Sequence, residues 1–382
     1  MKSSVYLDYA ATAPLLPCVR QKMLEIMEQP LGNASSLHSA GHRANEIVES
    51  ARAAVAQLIG ADPTEIIFTS GGSEANNTVM EIFRGQNLAV SAIEHPSVLE
   101  AAKARAKELT LLPVDSDGRV DLASVAAAAQ NCQLVSVMLA NNELGTIEPV
   151  SEIAKCCKNY NIFCHSDATQ ALGKIHINVK ELGVDYLTIS AHKIGGPNGI
   201  GALYVRQGAP FESLIRGGHQ EANRRAGTTN TLAIAGFGAA AEWCWENWSC
   251  KQYAEVAKLR DQLRERILAE VPYSRCNSPR ENCLPNILNM SFQAAEGESI
   301  QLYLDAEGII VGTGSACATG DLQPSHVLMV TQNDAEIAHS STRFSLGLDT
   351  TPADIERVMS VLPKVVQKLQ GISTVKTEAR NG

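Results

Sequence analysis

From about residue 42 the chain alternates helical and strand periodicity in short units, and this alternation limits the fold more than any other feature. Strands separated by helical crossovers pair in parallel and carry helices on both faces, so the pattern calls for an α/β fold around a mainly parallel sheet. In HRANEIVESARAAVAQLIG, residues Ile47, Val48, Ala51, Ala54, Val55 and Leu58 recur at helical spacing, and Gly60 supplies the stop. A strand over 65–70 follows, then a helix opened by SGGSEANN that reaches about Phe83, a strand over 87–92 and a helix PSVLEAAKARAKEL with Pro96 in its first turn. QLVSVMLA (133–140) and NIFCHSD (161–167) read as buried strands around a helix with Ser151 as its N-cap. DYLTIS (185–190) and IGALYV (200–205) form a closely spaced strand pair, and an Ala-rich helix runs from about Thr228 to Trp248.

With 382 residues, the chain exceeds the roughly 150 expected of one domain. The best boundary lies near 249–253, placing a large domain at 15–250. A smaller α+β domain then takes 251–382, built from NILNMSF, GIIVG, STRFSLG and the helix DIERVMSVLPKVVQKL, and it borrows residues 1–14 as a strand. The net charge of −9 opposes direct binding of nucleic acid or anionic lipid. No apolar run approaches the roughly 18 residues of a membrane span, and the N-terminus lacks a signal-type apolar run, so a cytoplasmic protein is expected. None of the ten cysteines is spaced as C-x-x-C, so no metal site is expected and most of them read as small buried hydrophobes.

Five places depart from plain packing. Lys193, in SAHKIGGPNGIG, lies between a strand and a glycine turn, which suits either a Schiff-base nucleophile of depressed pKa or a snorkelling lysine. SGGSEANN (70–77) is either an anion cradle or a turn capped by Ser73. Asp167 ends a buried strand, where its carboxylate serves a pyridinium nitrogen or caps the next helix. Cys317 sits in GTGSACATGDLQPSH among small residues, as a mobile nucleophile would. Arg343, in STRFSLG, is a carboxylate clamp or an ion-paired strand residue.

Taken in order, YLDYAATAP, GNASSLH, GADPTEIIFTSGGSEANN, EHPSV, NNELGTIEPV, HSDATQALGK, SAHKIGGPNGIGALYV, RRAGTTN, GSAC and SSTRFSLG resemble the cysteine desulfurases of the NifS/IscS type. These form a branch of the class V aminotransferases among the fold-type I pyridoxal-phosphate enzymes, and the resemblance covers nearly the whole chain. It implies a large domain with a mainly parallel seven-stranded sheet flanked by helices, plus a smaller α+β domain. Lys193 would carry pyridoxal 5'-phosphate as a Schiff base, with Asp167 on the pyridinium nitrogen, His95 stacked on the ring and Gln170 at the phenolic oxygen. Gly72, Ser73, Ser190 and His192 would bind the phosphate, joined by Thr228 from the second subunit of a homodimer. Asn33, Asn142 and Arg343 would hold the L-cysteine substrate, Asn142 also touching the cofactor.

The implied reaction releases L-alanine and leaves a persulfide on Cys317, with Lys193 moving the Cα proton and His95 accepting the thiol proton. Its sulfur would pass to an acceptor protein, an iron–sulfur scaffold or a factor for tRNA thiolation or DNA phosphorothioation. Competing readings are a selenocysteine lyase or aminotransferase on the same scaffold, and a weakly active sulfur-delivery subunit. The chain departs from the family pattern at Ala34, Ser73 and Gly195 and lacks a glycine in HVLMVTQND, none of which removes a reacting group.

Overall fold

A computed structural model describes residues 4–247, 250–313 and 324–373. Its twelve strands are β1 (Val5–Leu7), β2 (Ile66–Thr69), β3 (Asn87–Ser91), β4 (Glu108–Leu112), β5 (Leu134–Ser136), β6 (Phe163–Asp167), β7 (Tyr186–Ser190), β8 (Gly201–Val205), β9 (Ser274–Cys276), β10 (Ile287–Phe292), β11 (Ile309–Val311) and β12 (Ser341–Ser345). Seven of them form the expected mainly parallel sheet, in the order β2-β8-β7-β6-β5-β3-β4. Strands β4, β3, β5, β6 and β7 run parallel, and β8 lies antiparallel between β7 and β2. This parallel run gathers the C-terminal ends of β6 and β7 on one rim, where ligands of open α/β sheets bind.

Local chemistry explains the main elements. The helix Ser39–Ile59 is capped by the ring of His38, which accepts from Gly41 N, and stops at Gly60 in the left-handed region (φ 69°). Its apolar stripe, including Val48, Ala51 and Val55, packs into the core with the helix Thr231–Asn247. A second core joins β1, β10, β11 and β12 to the helices Cys250–Glu270, Gly297–Ala306 and Pro352–Ile372 through Leu288, Phe292, Phe344 and Leu362. Here β1 pairs in parallel with β11, bringing the N-terminal segment beside residues some 300 positions later. No helix among the described residues is long and apolar enough to cross a membrane.

Three local expectations are corrected. The helix begun at Pro96 ends at Arg105, because Ala106 turns extended (φ −64°, ψ 144°), and Glu108–Leu112 becomes the edge strand β4 on β3. Its Glu and Leu residues favour helix, but ladder pairing with β3 outweighs that preference. Strand β5 is shorter than 133–140, since the Glu94 carboxylate takes the amide of Met138 at 2.6 Å. Pro149, not Ser151, caps the helix Val150–Asn159; the Ser151 hydroxyl bonds Glu152 instead. The short helix Leu122–Ala129, capped by Asp121, lay outside the sequence reading.

Glu148 is buried, accepts from Val120 N at 3.0 Å, and is raised by desolvation from its ordinary 4.5 to about 8. The folded chain therefore keeps a proton that the unfolded chain has released, and stability falls as pH rises from about 4.5 to 8. Glu148→Gln removes this loss. In urea denaturation the stability of the variant relative to the parent should improve by about 3 kcal/mol between pH 5 and pH 8.

Candidate active site

The C-terminal ends of β6 and β7 and the start of the helix Gly72–Ile82 surround a cavity of about 270 Å³. Its wall includes Gly72, Ser73, His95, Asn142, Asp167, Gln170, Ser190, His192 and Lys193, nine of the residues named from sequence.

Lys193 follows β7 in a single 3-10 turn. Its Nζ donates to the carbonyls of Ala10 (2.6 Å) and Ala11 (2.8 Å), and no carboxylate among the described residues pairs with it. Burial lowers its pKa to about 7, helped by the nearby cations Arg343 and Lys174. Lys174, itself buried and lowered to about 8 by desolvation, donates to the Lys193 carbonyl at 3.3 Å. The lysine expected to be reactive thus has a substantial neutral fraction near pH 7, the state a nucleophilic amine requires.

Asp167 is buried at the end of β6 and accepts from Asn76 Nδ2 at 2.7 Å and Thr169 N at 2.9 Å. Both donors are neutral, so the carboxylate keeps its charge available to a cationic ring nitrogen. Gln170 donates to Ala10 O at 2.8 Å while its Oε1, like Thr169 Oγ1 and Asn76 Oδ1, has no partner. His192 contacts Thr12 Oγ1 at 3.3 Å, and burial with the adjacent Lys193 brings it down to about 4. His95 caps the helix Pro96–Arg105 and is exposed on the cavity; the protein packed around it partly desolvates the ring and lowers its pKa against the pull of Asp167.

Arg343, on β12, bonds Asp8 Oδ1 at 2.8 Å and the Asn142 carbonyl at 3.1 Å, which sets it beside the cavity with its Nε unpaired. Asn33 stands apart, its side chain turned back to Ser35 N. Thr228 is exposed and lines a different recess with Thr69 and Ser70. Cys317, with Gly314, Gly320 and Asp321, lies outside the described residues. Arg225 forms an ion pair with Glu74 at 2.9 Å, whereas Arg224 donates to the carbonyls of Thr64 and Ile66. Among the described residues no group of three or more histidine, cysteine or acidic side chains could hold a metal ion.

These groups fit pyridoxal phosphate. The helix Gly72–Ile82 points its N-terminus at the cavity, and a Cβ on Gly72 would lie 3.2 Å from Thr169 Oγ1, filling the cradle where a phosphate would sit. Across the cavity stand the amine of Lys193 for the aldehyde and the carboxylate of Asp167 for the ring nitrogen. Sequence reasoning did not single out Asn76, Ser97 or Asp8. Asn76 lies one helical turn beyond Gly72, a spacing that points it to the same side; Asp8 has no local signal.

Comparison with known proteins agrees with this chemistry. Residues 5–358 match the family described as aminotransferase class-V. The chain is 45% identical to cysteine desulfurase IscS of Dictyoglomus turgidum, over 99% of this chain and 98% of that protein. The structure of a NifS-like protein from Rickettsia africae superposes with a TM-score of 0.89 at 34% identity, covering 95% and 99% of the two chains. The structure described as SspA in complex with cysteine gives 0.78 at 31%, covering 90% and 99%.

The lowered pKa of Lys193 makes cofactor uptake pH-dependent. Protein stripped of pyridoxal phosphate should take it up several-fold faster at pH 8 than at pH 6, as the ammonium loses its proton near pH 7. The visible absorbance of the bound cofactor reports the rate, and Lys193→Ala should develop none.

Proposed function

The chain belongs to the class V aminotransferase family, among its cysteine desulfurases, and from that membership we propose how its residues share the work of taking sulfur from L-cysteine. Its cofactor is pyridoxal 5'-phosphate, which when bound acts as an electron sink for the bond changes at the substrate's Cα and Cβ. The observation that carries the assignment is the meeting, in one cavity, of a half-buried amine and a buried carboxylate, neither of which has an oppositely charged partner among the described residues.

Lys193 would hold the cofactor aldehyde and, once free, take the Cα proton on Nζ, for which a pKa near 7 is well placed. Asp167 would serve the ring nitrogen, and Gly72, Ser73, Ser190 and His192 would hold the phosphate, with His95 and Gln170 available to the ring and its phenolic oxygen. Arg343 offers its guanidinium to the substrate carboxylate with Asn142 beside it, whereas Asn33, turned back to Ser35 N, is not placed to join them in this subunit. The Cys317 thiolate then attacks the substrate sulfur: a sulfur–sulfur bond forms, the Cβ–sulfur bond breaks, and the carbon skeleton regains a proton and leaves as alanine. Cysteine and one thiol thus become alanine and one persulfide, with atoms and electrons in balance.

The exposed position of Thr228, away from its own cavity, supports a homodimer in which it completes the phosphate site of a second copy. The unpaired thiols and the net charge of −9 support a cytoplasmic enzyme that hands its sulfur to a protein rather than to nucleic acid, either an iron–sulfur scaffold or a thiolation factor. We also keep the division into a large cofactor domain at 15–250 and a smaller one at 1–14 and 251–382, supported by the pairing of β1 with β11.

Two experiments test this reading. Incubated with L-cysteine and a thiol reductant, the holoenzyme should release alanine and sulfide in equal amounts, and Cys317→Ser should lower alanine release by about 100-fold or more. Undiminished alanine from that variant would refute the persulfide route. Separately, Lys193→Ala and Thr228→Ala subunits, each impaired alone, should on co-expression recover about a quarter of parent activity, since random pairing makes half the dimers mixed with one intact site each.

A further inference from the structure

Behind the cavity, four side chains form a continuous hydrogen-bonded row. Asn76 Nδ2 donates to Asp167 Oδ2 at 2.7 Å and to Ser97 Oγ at 2.9 Å. Ser97 Oγ lies 2.8 Å from His95 Nδ1, and the backbone N–H of Ser97 donates to the same nitrogen at 3.1 Å. The direction of each bond is settled by chemistry. An amide nitrogen has two hydrogens and accepts nothing, and turning Asn76 over would press its oxygen against the Asp167 carboxylate. Both Asn76 hydrogens are therefore given away, one of them to Ser97 Oγ. The Ser97 hydroxyl, already an acceptor, has its own hydrogen to give to His95. A backbone N–H can only donate. Nδ1 of His95 thus faces two donors and carries no hydrogen, so the neutral ring carries it on Nε2, which bonds nothing among the described residues.

We propose that Ser97 and Asn76 are positioning residues that hold His95 in its Nε2–H form, so that it meets the bound amino acid as a neutral hydrogen-bond donor and not as the base that removes the thiol proton. A base at Nε2 requires the opposite tautomer, whose Nδ1–H would point into both Ser97 donors; with only the longer backbone contact left, that tautomer becomes accessible. Protonating Nδ1 to make an imidazolium meets the same clash, at the positive end of the helix Pro96–Arg105. The groups around the ring act in both directions: Asp167 favours the charged form, while Lys193 and His326 oppose it. Burial outweighs the pull of Asp167, and the pKa of His95 falls below its ordinary value. The row also ties the group facing the ring nitrogen to the group lying on the ring, so that both share one orientation. Its consequence for turnover rests on the desulfurase assignment; the tautomer does not.

The test is read by nitrogen NMR of the full-length protein labelled in histidine, as holoenzyme and without cofactor, with His95 identified by its loss in His95→Gln. The parent should show the Nε2–H pattern in both forms. Ser97→Ala, which keeps the backbone donor but breaks the row, should show mixed tautomers, a titration moved up toward the ordinary histidine value, and a kcat about tenfold lower at similar KM. Ser97→Thr, which restores the hydroxyl, should recover both. An Nδ1–H pattern in the parent, an unchanged pattern in Ser97→Ala, or a changed pattern with unchanged kcat would each overturn the proposal. An Nε2–H pattern in a parent that makes no alanine would uphold the tautomer and place the failure in the assigned reaction.

Discussion

The turn Asp8–Thr12, closed by the amides of Ala11 and Thr12 on the Asp8 carbonyl, lies across the C-terminal ends of β6 and β7, and the site depends on its carbonyls. Ala10 O accepts from both Lys193 Nζ and Gln170 Nε2, and Ala11 O accepts from Lys193 as well. Thr12 meets His192, and Asp8 holds Arg343. One stretch of five residues therefore orients Lys193, Gln170, His192 and Arg343 together. Because carbonyl dipoles carry no net charge, they hold the lysine in place without raising its pKa as a carboxylate would, and desolvation is left to set it near 7.

Burial recurs as the force that shapes charge around the cavity. Glu143 and Glu148 are pushed up to about 7 and about 8, and Glu94, wholly buried with its carboxylate on Ser91 and Met138, is also raised well above its ordinary value by desolvation. Such groups lower stability at neutral pH, a cost that concentrates near reactive centres. Backbone strain follows the same logic. Glu221, Ala222 and Asn223 take left-handed conformations (φ 47°, 54° and 67°), each costing about 1 kcal/mol. They are held there by the Glu221 carboxylate, which accepts from Arg52 at 2.7 and 2.8 Å and from Phe68 N at 2.9 Å. That bend aims the segment carrying Arg225 and Thr228 away from its own cavity.

Legibility varied with how local each signal was. The helix Ser39–Ile59 and the strands β3, β6, β7 and β8 were readable because periodicity and caps lie within a few residues of one another. Strand β4 was not, since five residues of good helix formers become a strand only where β3 offers an edge. Lys193, Asp167 and the Gly72 turn stood out as strand-end residues beside glycine or small neighbours, although the sequence left each with two readings. Asp8 and Arg343 lie 335 positions apart, and nothing in either neighbourhood marks the pair.

By itself, then, the sequence determined the α/β class, most of the central strands and the side chains proposed to react, because hydrophobic periodicity and short motifs are properties of neighbours. Only the tertiary structure decided what those side chains are to one another. It showed which lysine loses its proton near neutrality, which carboxylate lacks a cation and which nitrogen of His95 is bare. These depend on desolvation and on donors brought from distant segments, and neither leaves a trace in local sequence.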